Sequence, residues 1–328
     1  MQENLDASKN LERYGRNIKI RDLYFRHAEK ASGSVGSAGE ISASLISPRG
    51  AEQSKSLGED LAGAQKPAKD GLKIRSSVQP RTFETARETA VGYRGSETED
   101  VFQPRIKMEL SSTDQTQPKA WLDLYIKKWD ARKVQLMKSR GIDPATFGTL
   151  STKEQADIAE TAEEPVMEEW IDQPDSEIAK IYPIERQAAQ VAVLVRRDMQ
   201  SALRLRSGSE IDRMAAAHKT IFEPLLMHML KRPDGSRPQK LADIGGAMGL
   251  NDGFEIRTET DAGGTPRYEF IMHRVKDRDS DTPEYHDTAY EIDMAELDRL
   301  ADMGIERLRE ERKAAIEKDP EKWEVKPE

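Results

Sequence analysis

The chain has 328 residues, enough for one large domain or two ordinary ones, with 36% hydrophobic and 34% charged residues. A formal net charge of -9 argues against general affinity for nucleic acid or an anionic membrane, and the lack of cysteine excludes disulfides, thiol catalysis and Cys-ligated metal. No segment approaches a membrane-spanning length and the first residues carry no apolar signal core, so the expectation is a soluble cytoplasmic protein without nucleic-acid or membrane partners.

Residues 18–26 read as a short strand whose apolar run Leu23, Tyr24, Phe25 suits burial on both faces, and it ends directly on Arg26 and His27. A Gly- and Ser-rich loop follows to residue 46, a composition that permits close backbone approach to a ligand. Ser47 suits an N-cap and Pro48 the first position of a helix that Gly63 can end. "GLKIRSS" then reads as a second strand and "PRTFETARETAVGY" as a second helix, which together predict an α/β sheet. From 111 to about 180 the pattern is helical without strands. One helix opens at Pro118 and closes at Gly141, with Leu122, Tyr125, Ile126, Trp129 and Leu136 able to share a face. Ser151 and Glu154 form a capping box at the start of the next. A helix rich in Ala, Val and Leu is expected over 184–206, packed on the sheet. "EIDRMAAAH" follows as a strand, "TIFEPLLMHMLKR" as a helix, and 253–275 as a hairpin around "DAGG". A charged amphipathic helix closes the chain, opened by Asp293 with Glu296 three residues on.

Two histidines follow predicted strands, His27 after "DLYFR" and His218 after "RMAAA". Ligands of open α/β sheets bind outside the carboxyl ends of the strands, so both point at one site despite their separation in sequence. Arg26 adjoins the first, and Arg81 opens the helix after the second strand. A lone Arg-His pair is most often a solvated surface feature; the joint pattern is what favours a pocket. His228, beside two methionines, His273 in the hairpin and His286 in an acidic loop are expected to be structural or solvated. Trp121, Trp129 and Trp170 are expected to pack helices.

At these residues the chain resembles the histidine phosphatase, or phosphoglycerate-mutase-like, superfamily, in its mutase-like branch. "RHAEK" stands for the first motif, with Ala28 in place of the usual glycine, and "SPRGAEQS" is similar to the segment after it. "SSVQPRTFETA" is similar to the second motif, with Arg81 at its arginine, and "MAAAHKT" to the second-histidine motif. The resemblance covers roughly 18–110 and 184–275. It implies a three-layer α/β/α sandwich with a mostly parallel sheet. On this reading 1–110 and 183–275 form the core, 111–182 a helical insertion that is a candidate lid or else a packing or dimerisation element, and 276–328 a charged helical tail.

The resemblance also implies the chemistry. Arg26, Arg81 and His218 would bind phosphate, and His27 would be the nucleophile that forms a phosphohistidine. His218 would stabilise the transition state, and no metal or cofactor would be needed. A general acid would protonate the leaving oxygen. Glu109 in "PRIKMELS" is the first candidate, Glu84 the second, and Glu97 and Glu99 come after. Lys219 stands where the acid-phosphatase-like branch has Asp. The expected function is metal-independent hydrolysis of a phosphorylated small molecule or phosphoprotein. The alternatives are mutase-type phosphoryl transfer and a non-catalytic phospho-ligand binding protein on the same fold.

Overall fold

The computed structural model describes residues 13–31, 45–64, 68–95, 103–111, 118–232, 234–276 and 284–318. In chain order these form β1 (Lys19–Arg26), α1 (Pro48–Ala64), β2 (Leu72–Ser76), α2 (Pro80–Arg94), β3 (Arg105–Ile106), α3 (Lys119–Ser139) and α4 (Thr152–Asp172). Then come α5 (Glu177–Ile181), α6 (Ile184–Gln200), β4 (Glu210–Ala217), α7 (Glu223–Met229) and β5 (Leu230–Lys231). The antiparallel strands β6 (Gly253–Thr260), β7 (Pro266–Val275) and β8 (Tyr285–Ile292) precede α8 (Met294–Lys318). All eight strands join one sheet in the order β3-β2-β4-β1-β6-β7-β8-β5. β3, β2, β4 and β1 run parallel, and every pairing from β6 onward is antiparallel.

Alternation along β1 explains the layers. Leu23 and Phe25 project to one side, where they pack with Leu57 and Leu61 of α1 and Ala86 and Ala90 of α2. Tyr24 projects to the other and meets Phe222 and Phe254 at ring-centroid distances of 5.9 and 5.0 Å. That side holds the larger core, built with α6, α7, α8 and the helices α3–α5. The sheet is therefore sandwiched between helical layers, as the pattern of alternating strands and helices implied. Helices α1 and α2 cross closely because two glycines meet there. A Cβ on Gly92 would lie 2.0 Å from the Lys55 carbonyl oxygen, and one on Gly58 2.1 Å from that of Thr89.

Local signals located several helix starts. The Ser47 hydroxyl accepts from the Gly50 amide (2.9 Å) and donates to Glu29 (2.8 Å), so it caps α1 and ties it to the segment after β1. The Ser151–Glu154 capping box is present at α4. Residues 119–181 are helical as expected, joined by an aromatic cluster in which Trp121 lies 4.9 Å from Trp170 and 5.7 Å from Tyr182. The buried residues of α3 are Trp121, Tyr125 and Met137, while Leu122 and Trp129 of the expected stripe pack half-buried against the same core.

Three expectations are corrected. The helix read over 220–232 stops at Met229, because Leu230 and Lys231 extend to pair with β8. The helix expected to reach 206 ends at Gln200 and passes into a single 3-10 turn, 201–204. His286 lies in β8, not in a loop: its strand is mostly solvated, so it has no apolar alternation to read. Among the described residues no helix is long and apolar enough to cross a membrane.

Candidate active site

β1 and β4 lie side by side in parallel, with Arg26 opposite Ala217, so the next residue of each leaves the sheet at the same edge. Those residues are His27 and His218. Their rings lie 5.1 Å apart in an edge-on arrangement, both buried. The His27 amide still donates to the Ala217 carbonyl (2.9 Å), which extends the ladder to His27. The Ala28 amide donates to Thr85 Oγ1 (3.1 Å), whose hydroxyl donates to the Arg81 carbonyl (2.7 Å). The start of α2 is thereby held against the end of β1, and Arg81 against the histidines.

Partners set the tautomers. His27 Nδ1 is 2.7 Å from the Ala28 carbonyl oxygen, which can only accept, so Nδ1 carries the proton and Nε2 keeps its lone pair. His218 Nδ1 is 3.2 Å from the Arg81 guanidinium, which can only donate. His218 Nε2–H therefore donates to Ser77 Oγ (3.0 Å), which donates to Thr82 Oγ1 (2.8 Å), whose hydroxyl ends on the Gln79 carbonyl (2.7 Å). Burial first, and then the Arg81 charge, holds both imidazoles well below the ordinary histidine range. Both are neutral at neutral pH.

Among the described residues three cations act on this pair. Arg26 is buried; it donates to the Met248 carbonyl (2.9 Å), and its buried Nε–H has no acceptor among the described residues. Arg81 is pushed down to about 10, by burial and then by Arg26. Lys30, half-buried, is pushed down to about 7 by burial and then by Arg81. Lys219 follows His218. The guanidinium groups and amines of these side chains are what a phosphoryl group with charge on several oxygens requires.

The turn after β4 is strained. Thr220, β-branched, has φ 76°, and its amide donates to Glu223 (3.1 Å). The other Glu223 oxygen accepts from the Met248 amide (3.1 Å), in the loop that holds Arg26. Arg274 fastens that loop by donating to the carbonyls of Ile244 (2.9 Å), Gly246 (2.9 Å) and Ala247 (3.0 Å) and pairing with Asp252 (3.0 Å).

Two further carboxylates come from α4. Glu160 ion-pairs with Arg26 at 2.9 Å, and Glu163 with Lys219 at 3.4 Å. Glu163 also accepts from Tyr125 of α3 (3.0 Å). Burial alone would push Glu163 upward, but Lys219, Arg26 and Lys30 together hold it below the usual carboxylate range. A cleft of about 350 Å³ shares Glu160 and Lys219 with the cluster, and Glu29, Arg49, Lys153 and Asn251 line other parts of it. Among the described residues no group of three or more His, Asp or Glu forms a metal site.

Of the residues singled out in the sequence, the structure brings Arg26, His27, Arg81 and His218 together. It does not bring Glu109 to them: that carboxylate pairs with Arg197 of α6 at 3.1 Å, and its backbone carbonyl accepts from Gln190 (3.2 Å). Glu84 accepts from the Ile46 amide (3.0 Å), while Glu97 and Glu99 lie outside the described residues, as do 32–44 of the Gly- and Ser-rich loop. His228 pairs with Glu296 (3.3 Å), and His273 with Asp287 (2.7 Å) and Glu255 (3.4 Å). Reading the sequence missed Ser77, Glu160, Glu163 and Tyr125. Ser77 sits at the end of a predicted strand beside the second motif, a signal that could have found it. The α4 glutamates had none, because their helix is acidic along much of its length.

Fold and site together define an α/β sandwich that gathers two neutral histidines and several cations at the carboxyl edge of its parallel strands. No protein-family model matches the chain, and no curated protein does. Solved structures of phytases are similar. The phytase from Citrobacter braakii superposes with a TM-score of 0.50 at 8% identity, covering 89% of this chain and 98% of that one. The Klebsiella sp ASR1 phytase gives 0.46 at 13%, over 88% and 95%. The apo form of Hafnia alvei phytase gives 0.46 at 11%, over 89% and 97%. The likeness is one of fold alone.

Proposed function

We propose that this protein is a metal-independent phosphomonoesterase that works through a phosphohistidine on His27, acting on a phosphorylated small molecule or phosphoprotein. The observation that carries the reading is the buried His27–His218 pair, 5.1 Å between rings, set among Arg26, Arg81 and Lys30. His27 Nε2 attacks phosphorus, since Nδ1 is committed to the Ala28 carbonyl. Arg26, Arg81 and Lys30 spread the phosphoryl charge over their donors. A dianion draws Arg81 onto its own oxygens; the ring nitrogen of His218 that Arg81 now occupies then takes a proton and donates to an equatorial oxygen. Water attacks the phosphohistidine in the second step and releases phosphate. In this reading 1–110 and 183–275 carry the core chemistry, and 111–182 lies over the pocket as a lid.

The test is turnover of p-nitrophenyl phosphate with a chelator present, in wild type and His27→Ala. Wild type should be active, and the variant should lose at least about 10³-fold in kcat/KM, the scale of removing a nucleophile. Activity undiminished in His27→Ala would overturn the reading, and so would an inactive wild type.

A further inference from the structure

Leaving alkoxides and phenoxides need a proton, and the carboxylates around the site differ sharply in their ability to supply one. Both oxygens of Glu223 are taken by backbone amides. Glu163, whose side chain is 14% exposed, is fixed between Lys219 and Tyr125 and held in its ionised form. Glu109 belongs to Arg197. Glu160 is different: its side chain is 24% exposed, it touches Arg26 at 2.9 Å, and it lies on the wall common to the cation cluster and the adjoining cleft.

We propose that Glu160, from the helical segment, is the general acid–base of the phosphoryl transfer. This rests on the phosphatase reading. A phosphoryl dianion on Arg26 takes over the guanidinium that Glu160 now pairs with and places negative charge beside the carboxylate. Freed from the guanidinium, the Glu160 carboxyl is placed to carry the proton that the leaving oxygen needs. The ester group leaves toward the cleft that Glu160 lines. As His27 Nε2 forms its bond to phosphorus and the P–O ester bond breaks, the Glu160 proton passes to the departing oxygen and an alcohol or phenol leaves. In the second step the Glu160 carboxylate takes a proton from water. The water oxygen bonds to phosphorus, the P–N bond breaks, and inorganic phosphate is released. The same carboxylate thus neutralises Arg26 before substrate arrives and turns acid when displaced from it.

The experiment compares phenyl phosphate, whose leaving group is poor, with p-nitrophenyl phosphate, whose leaving group needs little protonation. Glu160→Gln should lower kcat/KM for phenyl phosphate by about 10²–10⁴-fold, the range of general acid catalysis, and for p-nitrophenyl phosphate by less than about tenfold. Glu160→Ala should show the same split and recover phenyl phosphate turnover on addition of formate, a readout that a merely structural role would not move. Equal losses on both substrates without formate rescue would overturn the assignment. So would a gain on both, which would make Glu160 a competitor of phosphate and nothing more. His27→Ala run alongside keeps the two readings apart. Activity lost with His27 but insensitive to leaving group in the Glu160 variants overturns only the acid, whereas activity independent of His27 overturns the phosphatase reading itself.

Discussion

An anion that enters between Arg26, Arg81 and Lys30 should carry a proton in with it. Lys30 is pushed down to about 7, so near pH 8 it is about nine-tenths neutral. One negative charge about 4 Å away at an effective dielectric near 20 is worth about 4 kcal/mol, or roughly three pKa units. That is enough to return Lys30 to the ordinary lysine range. Lys30 should then take up about 0.9 proton on binding at pH 8, and about 0.1 near pH 6, where it is already charged. The sign follows. The bound state holds more protons between about pH 7 and pH 10, so affinity falls as pH rises through that window, by up to about tenfold per unit. The assay is calorimetric titration with sulfate, which stays a dianion throughout, in buffers of different ionisation enthalpy. Lys30→Met should remove about 0.9 of a proton from the uptake near pH 8 and leave the part that other groups contribute. The two histidines start well below the ordinary range, and any proton that His218 takes on binding remains in Lys30→Met. Sulfate binding near pH 8 without proton uptake would refute the reasoning, as would an uptake that Lys30→Met leaves intact.

Two further predictions concern the frame that carries the site. Arg213 of β4 donates to Asp22 (2.7 Å), to the Asp198 carbonyl (2.8 Å) and to Ser201 (2.7 Å), with Asp22 and Asp198 both buried. Arg213→Met strands an acid beneath β1 and should cost about 3–5 kcal/mol in urea unfolding. Burial already lifts Asp22 to about 6, so the loss should shrink toward pH 5 as its carboxyl takes a proton; a pH-independent loss under about 1 kcal/mol would count against this account. Gly92→Ala puts a methyl 2.0 Å from the Lys55 carbonyl oxygen and should cost about 1–3 kcal/mol by forcing α1 and α2 apart, and a melting temperature equal to wild type would contradict it.

The sequence by itself determined the features that arise from neighbouring residues. The run Leu23, Tyr24, Phe25 followed by Arg26 and His27 marks a buried strand that ends in chemistry, and β1 ends there. Ser47 with Pro48, and Ser151 with Glu154, mark helix starts because a cap acts within one turn. Placing two histidines after two strands was enough to expect them together, since parallel strands present their carboxyl ends at one edge. β8 escaped notice because a mostly solvated strand needs no apolar alternation. Only the tertiary structure decided which carboxylates meet the cations. Glu109 follows β3 closely and yet turns to Arg197, while Glu160 and Glu163 reach Arg26 and Lys219 from α4. The orientation of α4 depends on the packing of Trp121, Trp170 and Tyr182 between segments distant in sequence, and local pattern holds no record of such contacts.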